Sequence, residues 1–328
     1  GFTLWFLGVY SMVPGGLTLW FLGKGQIESL NGRKLHNLGF MGQGMTIAVL
    51  DAGFMNVDKI AAFRNLNIKG THNFVAGYDN DVYKEMDHGT KTLSTIAMNQ
   101  PTVFVGTAPK ADFWLLRTED YSTESPAEED FWIAAVEFSD SVGVDVISSS
   151  LGYHGFDDIS MNYRYSDLNG RTAAISQAAS RLASKGMILV NSAGNDGMGT
   201  WKKINVPADA HDILTVGAVS LDKVNAPFSS IGPTADGRIK PDVMAYGCPT
   251  NVVSGRGYII PDNGTSFACP LIAGMVACLW QACPNKSAKE IIDIIRQSGN
   301  NCQSPDNIRG YGIPDFWSAY QSATRYNQ

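Results

Sequence analysis

The sequence predicts an α/β fold in three layers, a central, mostly parallel twisted sheet between two layers of helices. From residue 42 onward, short apolar β-rich runs alternate with segments of helical periodicity, the pattern of a parallel sheet covered on both faces. The runs are continuously apolar, as strands buried on both sides must be. Composition agrees: 328 residues that are 44% hydrophobic and 17% charged, with 34 glycines, suit a well-buried globule with tight turns and exclude a disordered chain.

The N-terminal segment stands apart from this pattern. Residues 1–23 carry no charge, and Thr-Leu-Trp-Phe-Leu-Gly occurs twice, at 3–8 and 18–23. Pro14-Gly15-Gly16 interrupts the stretch and its glycines make a poor helix, so a packed arm or hairpin is expected over residues 1–25 in preference to a membrane span. The basic start and small-residue cleavage site of a signal peptide are both missing. From residue 26 to 328 the composition does not change, and one domain is expected.

Within that domain, strands are predicted at 45–50, 113–116, 144–147, 187–190 and 213–219. Ser125-Pro126-Ala127-Glu128 reads as a capping-box start for a helix to about residue 139. An Ala-rich helix is predicted over 172–185, closed by Gly186 in a left-handed turn. Residues 270–283 are uncharged and read as a helix buried through the centre. Residues 287–297 place Ile at helical spacing among Lys and Glu.

Charge and cysteine usage exclude several classes. The net charge of −6 comes without any Lys/Arg-rich run, so no nucleic-acid partner is expected. Cys248, Cys269, Cys278, Cys283 and Cys302 form no CxxC pair, and no metal ligands are assigned. Cys269 and Cys278 read as small buried hydrophobes. Cys283 and Cys302 flank one predicted helix and could pair in an oxidising compartment.

Four short motifs carry chemistry. Ala48-Val49-Leu50-Asp51-Ala52-Gly53 puts a carboxylate at the C-terminal end of a strand, where open α/β sheets bind ligands. Asp87-His88-Gly89-Thr90 leads into a helix over 92–98 that would hold the imidazole rigidly. Asn191-Ser192-Ala193-Gly194-Asn195-Asp196-Gly197 follows a strand and offers the Asn195 amide as a donor to a developing oxyanion. Asn263-Gly264-Thr265-Ser266-Phe267-Ala268-Cys269-Pro270 opens the buried helix, where a positive dipole end and free N–H groups suit a nucleophile. Pro270 is expected in the first turn, where its missing N–H costs nothing. His36, His72, His154 and His211 read as surface or core residues.

Together the motifs resemble the subtilase family, whose chain order is Asp, His, Ser. Further matches are Ala108-Pro109, Ser150-Leu151-Gly152, Phe228-Ser229-Ser230-x-Gly232-Pro233, Lys240-Pro241-Asp242 and Gly310-Tyr311-Gly312, so the resemblance spans about residues 26–320. Two departures stand next to the site: Ala52 where Thr or Ser is common, and Lys91-Thr92 where His-Val is frequent. Cys269 replaces the commoner Ser.

The resemblance implies a subtilisin-like three-layer α/β/α fold and a serine endopeptidase acting on protein or peptide substrates. In it Ser266 is the nucleophile, His88 its base, Asp51 the orienting carboxylate and Asn195 an oxyanion donor. Substrate backbone is expected to pair with Ser150, Leu151 and Gly152, facing Ser192, Ala193 and Gly194. A second edge is expected near residues 119–123, with Glu119 and Asp120 as solvated carboxylates, and residues 198–203 at the pocket base. No cofactor is required by this chemistry. Structural calcium is a family trait for which Asp157-Asp158 and Asp79-Asn80-Asp81 offer oxygens without ordered spacing. A secreted or cell-envelope monomer is expected, and the lack of a recognisable inhibitory propeptide before Gln26 reads as a mature form. A sedolisin-type peptidase would lack His88 and Asn195, and a non-catalytic peptide-binding module would have lost one of the four groups.

Overall fold

The computed structural model describes residues 24–325; the predicted arm therefore lies outside the described residues except for its last two. In chain order the elements are α1 Lys24–Ser29, α2 Arg33–Asn37, β1 Thr46–Asp51, β2 Asn67–Asn73, α3 His88–Ala97, β3 Asn99–Gln100, β4 Phe104–Val105, β5 Asp112–Arg117, α4 Ala127–Ser141, β6 Val146–Ser149, α5 Ala174–Ala179, β7 Ile188–Ser192, β8 Leu214–Ser220, β9 Val243–Cys248, β10 Thr250–Val253, β11 Ile259–Asp262, α6 Thr265–Ala282, α7 Ala288–Gln297 and α8 Phe316–Arg325.

Seven strands form one sheet in the order β2-β5-β1-β6-β7-β8-β9, all neighbours parallel. Alternate residues of each strand feed opposite faces. Ile47, Val49, Phe113, Leu115, Ile188 and Val190 pack with Leu93 and Ile96 of α3 and Leu271, Ile272 and Met275 of α6. Ala48, Leu50, Leu116, Ile147 and Leu189 pack on the other face with Trp132 and Val136 of α4 and Ile175 of α5. Burial on both faces explains the continuously apolar strands, and the three layers are those the sequence predicts.

Chain order reverses at β1. The chain leaves it toward β2 and later returns to β6 on its other side, so the carboxyl ends of β1, β6 and β7 border the switch point where such sheets bind ligands. Asp51 ends β1, Ser149 ends β6 and Ser192 ends β7.

Four local expectations are corrected. The helix predicted over 172–185 is broken: α5 stops at Ala179 and a separate 3-10 turn, Ala183–Lys185, precedes Gly186 at φ 88°. Ser180 explains the break, because its hydroxyl donates back to the Ser176 carbonyl at 2.7 Å and accepts the His211 N–H at 2.9 Å, diverting the chain from helical continuation. The first turn of α3 includes His88 itself, four residues earlier than expected. Pro270 lies in the second turn of α6, not the first; the carbonyl its missing N–H would have served is that of Ser266. All five cysteines are free thiols, so Cys283 and Cys302 are not paired.

Candidate active site

Asp51 is fully buried at the end of β1. Its Oδ1 accepts from the Ala52 N–H at 2.8 Å and sits 2.6 Å from His88 Nδ1. Its Oδ2 accepts from Thr92 Oγ1 at 3.0 Å. His88, one turn before Thr92 on α3, keeps 32% of its side chain exposed. One ring edge is therefore tied to a buried carboxylate while part of the ring stays accessible.

The two loops meet through glycine. The Gly89 N–H donates to the Gly53 carbonyl at 2.9 Å, and a Cβ on Gly89 would lie 2.4 Å from that oxygen. The glycine of His-Gly-Thr is thus required for strand end and helix start to touch, while that of Asp-Ala-Gly is required by the Glu85 carbonyl, 2.1 Å from where its Cβ would stand.

Burial alone would lower the His88 pKa. The Asp51 charge and its hydrogen bond outweigh it and hold the imidazole above its ordinary value, with smaller opposing effects from Lys91 and Asp262. Lys91 bridges Asp262 at 3.1 Å and Asp87 at 3.4 Å, linking α3 to the end of β11 just before the Ser266 loop.

Ser266, the second residue of α6, is 8% exposed. The His88 ring lies 5.8 Å from the Phe267 ring, centroid to centroid, which seats it beside this helix start. At this N-terminus the first N–H groups have no intrahelical acceptor. Asn195 Oδ1 takes the Thr265 N–H at 2.9 Å and the Thr265 hydroxyl at 3.0 Å, so a side chain from the segment after β7 caps the helix in place of Gly264. Because both partners donate, the amide oxygen faces Thr265, and among the described residues Nδ2 has no acceptor.

A cleft of about 330 Å³ opens at Ser266, lined by Ser150, Leu151, Gly152, Ser192, Gly194 and Asn195 among others. Five of the six predicted substrate-binding residues are in this wall. The sixth, Ala193, is fully buried and packs into the core beneath. Residues 198–203 do not line the cleft; Asn205 does, with Glu124, His154 and Asp196. No sequence signal marked Asn205. Its side chain lies between the walls: Cβ atoms built on Gly152 and Gly194 would come within 3.0 Å of Asn205 Cβ and Nδ2 respectively.

Glu119 is not the solvated carboxylate expected from its loop. Tyr153 donates to its Oε1, and burial, with the Glu128 charge next, pushes its pKa well above the usual carboxylate range. Asp120, itself half-buried, accepts from the Ser122 and Tyr78 hydroxyls.

The calcium oxygens fit poorly. Asp79 and Asp81 are engaged by Lys84 at 2.6 and 3.4 Å. Asp157 and Asp158 accept from the Glu124 and Ser160 N–H groups. Among the described residues no three His, Cys, Asp or Glu side chains converge on one point.

The cleft holds a serine hydroxyl near a helix N-terminus, and beside that helix start stands an imidazole bound to a buried carboxylate. The model of the subtilase family matches residues 42–312. Subtilisin NAT of Bacillus subtilis subsp. natto and Subtilisin E of Bacillus subtilis (strain 168) are each 29% identical over 269 residues, covering 81% of this chain and 63% of the relative. The chain thus spans less than two thirds of the length of these relatives. Subtilisin DY of Bacillus licheniformis is 27% identical over 273 residues, covering 82% of this chain and 88% of the relative. Among solved structures, MycP1 from Mycobacterium smegmatis superposes with a TM-score of 0.72 at 21% identity, covering 94% of this chain and 87% of that one. A structure of MycP1 with the N-terminal propeptide removed gives 0.69 at 22%, covering 90% and 96%. At these identities the structures speak to fold alone.

Proposed function

The chain belongs to the subtilase family, and from that premise we propose that it is a serine endopeptidase in which Ser266, His88 and Asp51 form the catalytic triad and Asn195 supplies the oxyanion donor. The observation that carries this reading is the 2.6 Å contact between His88 Nδ1 and the buried Asp51 carboxylate, beside a helix whose first turn carries the Ser266 hydroxyl.

In the first half-reaction Ser266 Oγ adds to the scissile carbonyl carbon as His88 Nε2 takes the hydroxyl proton. Charge moves to the carbonyl oxygen, where Asn195 Nδ2 and the Ser266 N–H donate. The C–N bond then breaks, His88 returns its proton to the leaving amine, and an ester on Ser266 remains. In the second half-reaction water adds to that ester, its proton passing to His88 and then to Ser266 Oγ as the acid leaves. Asp51 keeps the imidazole in the tautomer with hydrogen on Nδ1 and stabilises the transient imidazolium.

Extended substrate would pair with Ser150, Leu151 and Gly152 by strand addition, its side chain entering the cleft toward Ser192 and Gly194. Protein or peptide substrates, a monomeric state and a secreted or cell-envelope location belong to this proposal, as does a division into residues 1–25 and a peptidase domain over 26–328. A fluorophosphonate probe tests it: wild type is labelled covalently and Ser266→Ala is not. Equal labelling of the two overturns the nucleophile.

A further inference from the structure

Asp51 is gripped by two groups from one helix face. His88 and Thr92 are four residues apart on α3, so their side chains stand one above the other. The first reaches Oδ1 at 2.6 Å and the second reaches Oδ2 at 3.0 Å. Asp51 and Thr92 are both fully buried, so water cannot replace either contact. The remaining donor to the carboxylate, the Ala52 N–H, is on Oδ1, and residue 52 carries no hydroxyl. Among the described residues, Thr92 alone donates to Oδ2.

The Thr92 hydroxyl also lies 3.1 Å from the Gly89 carbonyl, and it has one proton to give. A carboxylate is the stronger acceptor, so the proton goes to Asp51.

We propose that Thr92 is a positioning residue of this hydrolytic site: its hydroxyl fixes the rotation of the Asp51 carboxylate so that Oδ1 stays in line with His88 Nδ1. The proposal rests on the triad reading above. It also gives a role to the two departures beside the site, since a hydroxyl absent at position 52 is supplied at position 92. Without it, a carboxylate held through Oδ1 alone could turn about its Cβ–Cγ bond, and the imidazole would lose its orientation.

Thr92→Val keeps the shape of the side chain and removes the donor; Thr92→Ser keeps the donor. Thr92→Val is expected to lower kcat and the rate of fluorophosphonate labelling about 10- to 100-fold, the scale of one hydrogen bond to a charged group, with KM unchanged. Thr92→Ser stays within about threefold of wild type on that same scale, and Ala52→Ser added to Thr92→Val restores part of the loss. Equal losses in Thr92→Val and Thr92→Ser would assign the effect to packing and overturn the proposal, as would no loss in Thr92→Val.

A titration of the His88 ring by NMR reads the contact without turnover. With the Oδ2 donor gone the carboxylate turns away from Nδ1, the contact that holds the His88 pKa up weakens against burial, and the imidazole pKa in Thr92→Val moves down; Lys91 and Asp262, the other charges acting on the ring, are unchanged by the substitution. An unmoved titration overturns the proposal. Absence of probe labelling in wild type would instead overturn the triad reading, leaving the NMR comparison to decide on Thr92.

Discussion

The Ser150 hydroxyl donates to the main-chain carbonyl of Ser266 at 2.8 Å, occupying the place that the missing N–H of Pro270 leaves in α6. A proline in the second turn of a helix normally strands the carbonyl four residues earlier. Here that carbonyl belongs to the candidate nucleophile, and a residue of the proposed substrate-binding edge satisfies it. The edge and the nucleophile are therefore held in one register.

Ser150→Ala should leave the Ser266 carbonyl without its donor in a site too enclosed for easy hydration. Stability is expected to fall by about 1–3 kcal/mol, the cost of one unsatisfied buried acceptor. Fluorophosphonate labelling should slow as the helix start relaxes. Denaturant unfolding monitored beside the labelling rate checks both; an unchanged midpoint would mean the carbonyl finds another donor.

The His88 environment fixes the direction of a pH profile. In the proposed mechanism the imidazole acts in its neutral form, and Asp51 holds the His88 pKa above its ordinary value of 6.5 despite burial. The acid limb of kcat/KM is expected above that value, with activity rising as the proton leaves. Asp51→Asn removes the charge and leaves burial to act, so the limb should move to lower pH while the rate falls. The same shift has a stability counterpart: a folded-state pKa above the unfolded one contributes stability below about 6.5 that is lost as pH rises through the folded value. Peptide hydrolysis from pH 5 to 9 tests the first point and thermal melts over that range the second.

Buried carboxyls act on the same pH range. Burial pushes Glu128 and Glu129 up to about 7 from an ordinary 4.5. Folded protein then binds protons that unfolded chain has released, and stability should decline as pH rises from about 4.5 to about 7. Glu129 Oε2 accepts from Tyr163 at 2.9 Å. Glu129→Gln keeps an acceptor there and removes the ionisation, so its melting temperature should gain on wild type between pH 5 and pH 8. A gap that narrows over that interval would refute the assignment.

Legibility in the sequence followed physical cause. The strands β1, β5, β6, β7 and β8 were readable because burial on both faces demands unbroken apolar runs. Edge strand β2 was not: Asn67–Asn73 is half-exposed, carries a bulge at Ile68/Gly70, and owes its place to Trp114, whose ring lies 2.3 Å from where a Gly70 Cβ would stand. The four chemical motifs were legible because each groups its residues within a few positions. Thr92 showed only as a departure from the family pattern, since its partner Asp51 is 41 residues away. Asn205 gave no sign, because its role depends on two glycines contributed by different strand ends.

Asn205 is where the cleft can be tested for depth. Its side chain is 7% exposed, donates to Asp196 Oδ2 at 3.0 Å, and stands against both Gly152 and Gly194. A side chain so placed closes the floor between the two walls, and the cleft should accept short substrate side chains better than long ones at the cleaved bond. Asn205→Ala lowers that floor. Its kcat/KM for peptides with Leu or Phe at the cleaved bond, relative to Ala, is expected to rise about 10-fold, the scale of a methylene or two in a fitted pocket. A peptide series carrying Ala, Leu and Phe measures the ratio directly. If it stays constant while both proteins are labelled equally by the probe, the depth of the cleft is set elsewhere, and Asn205 serves only to hold Asp196.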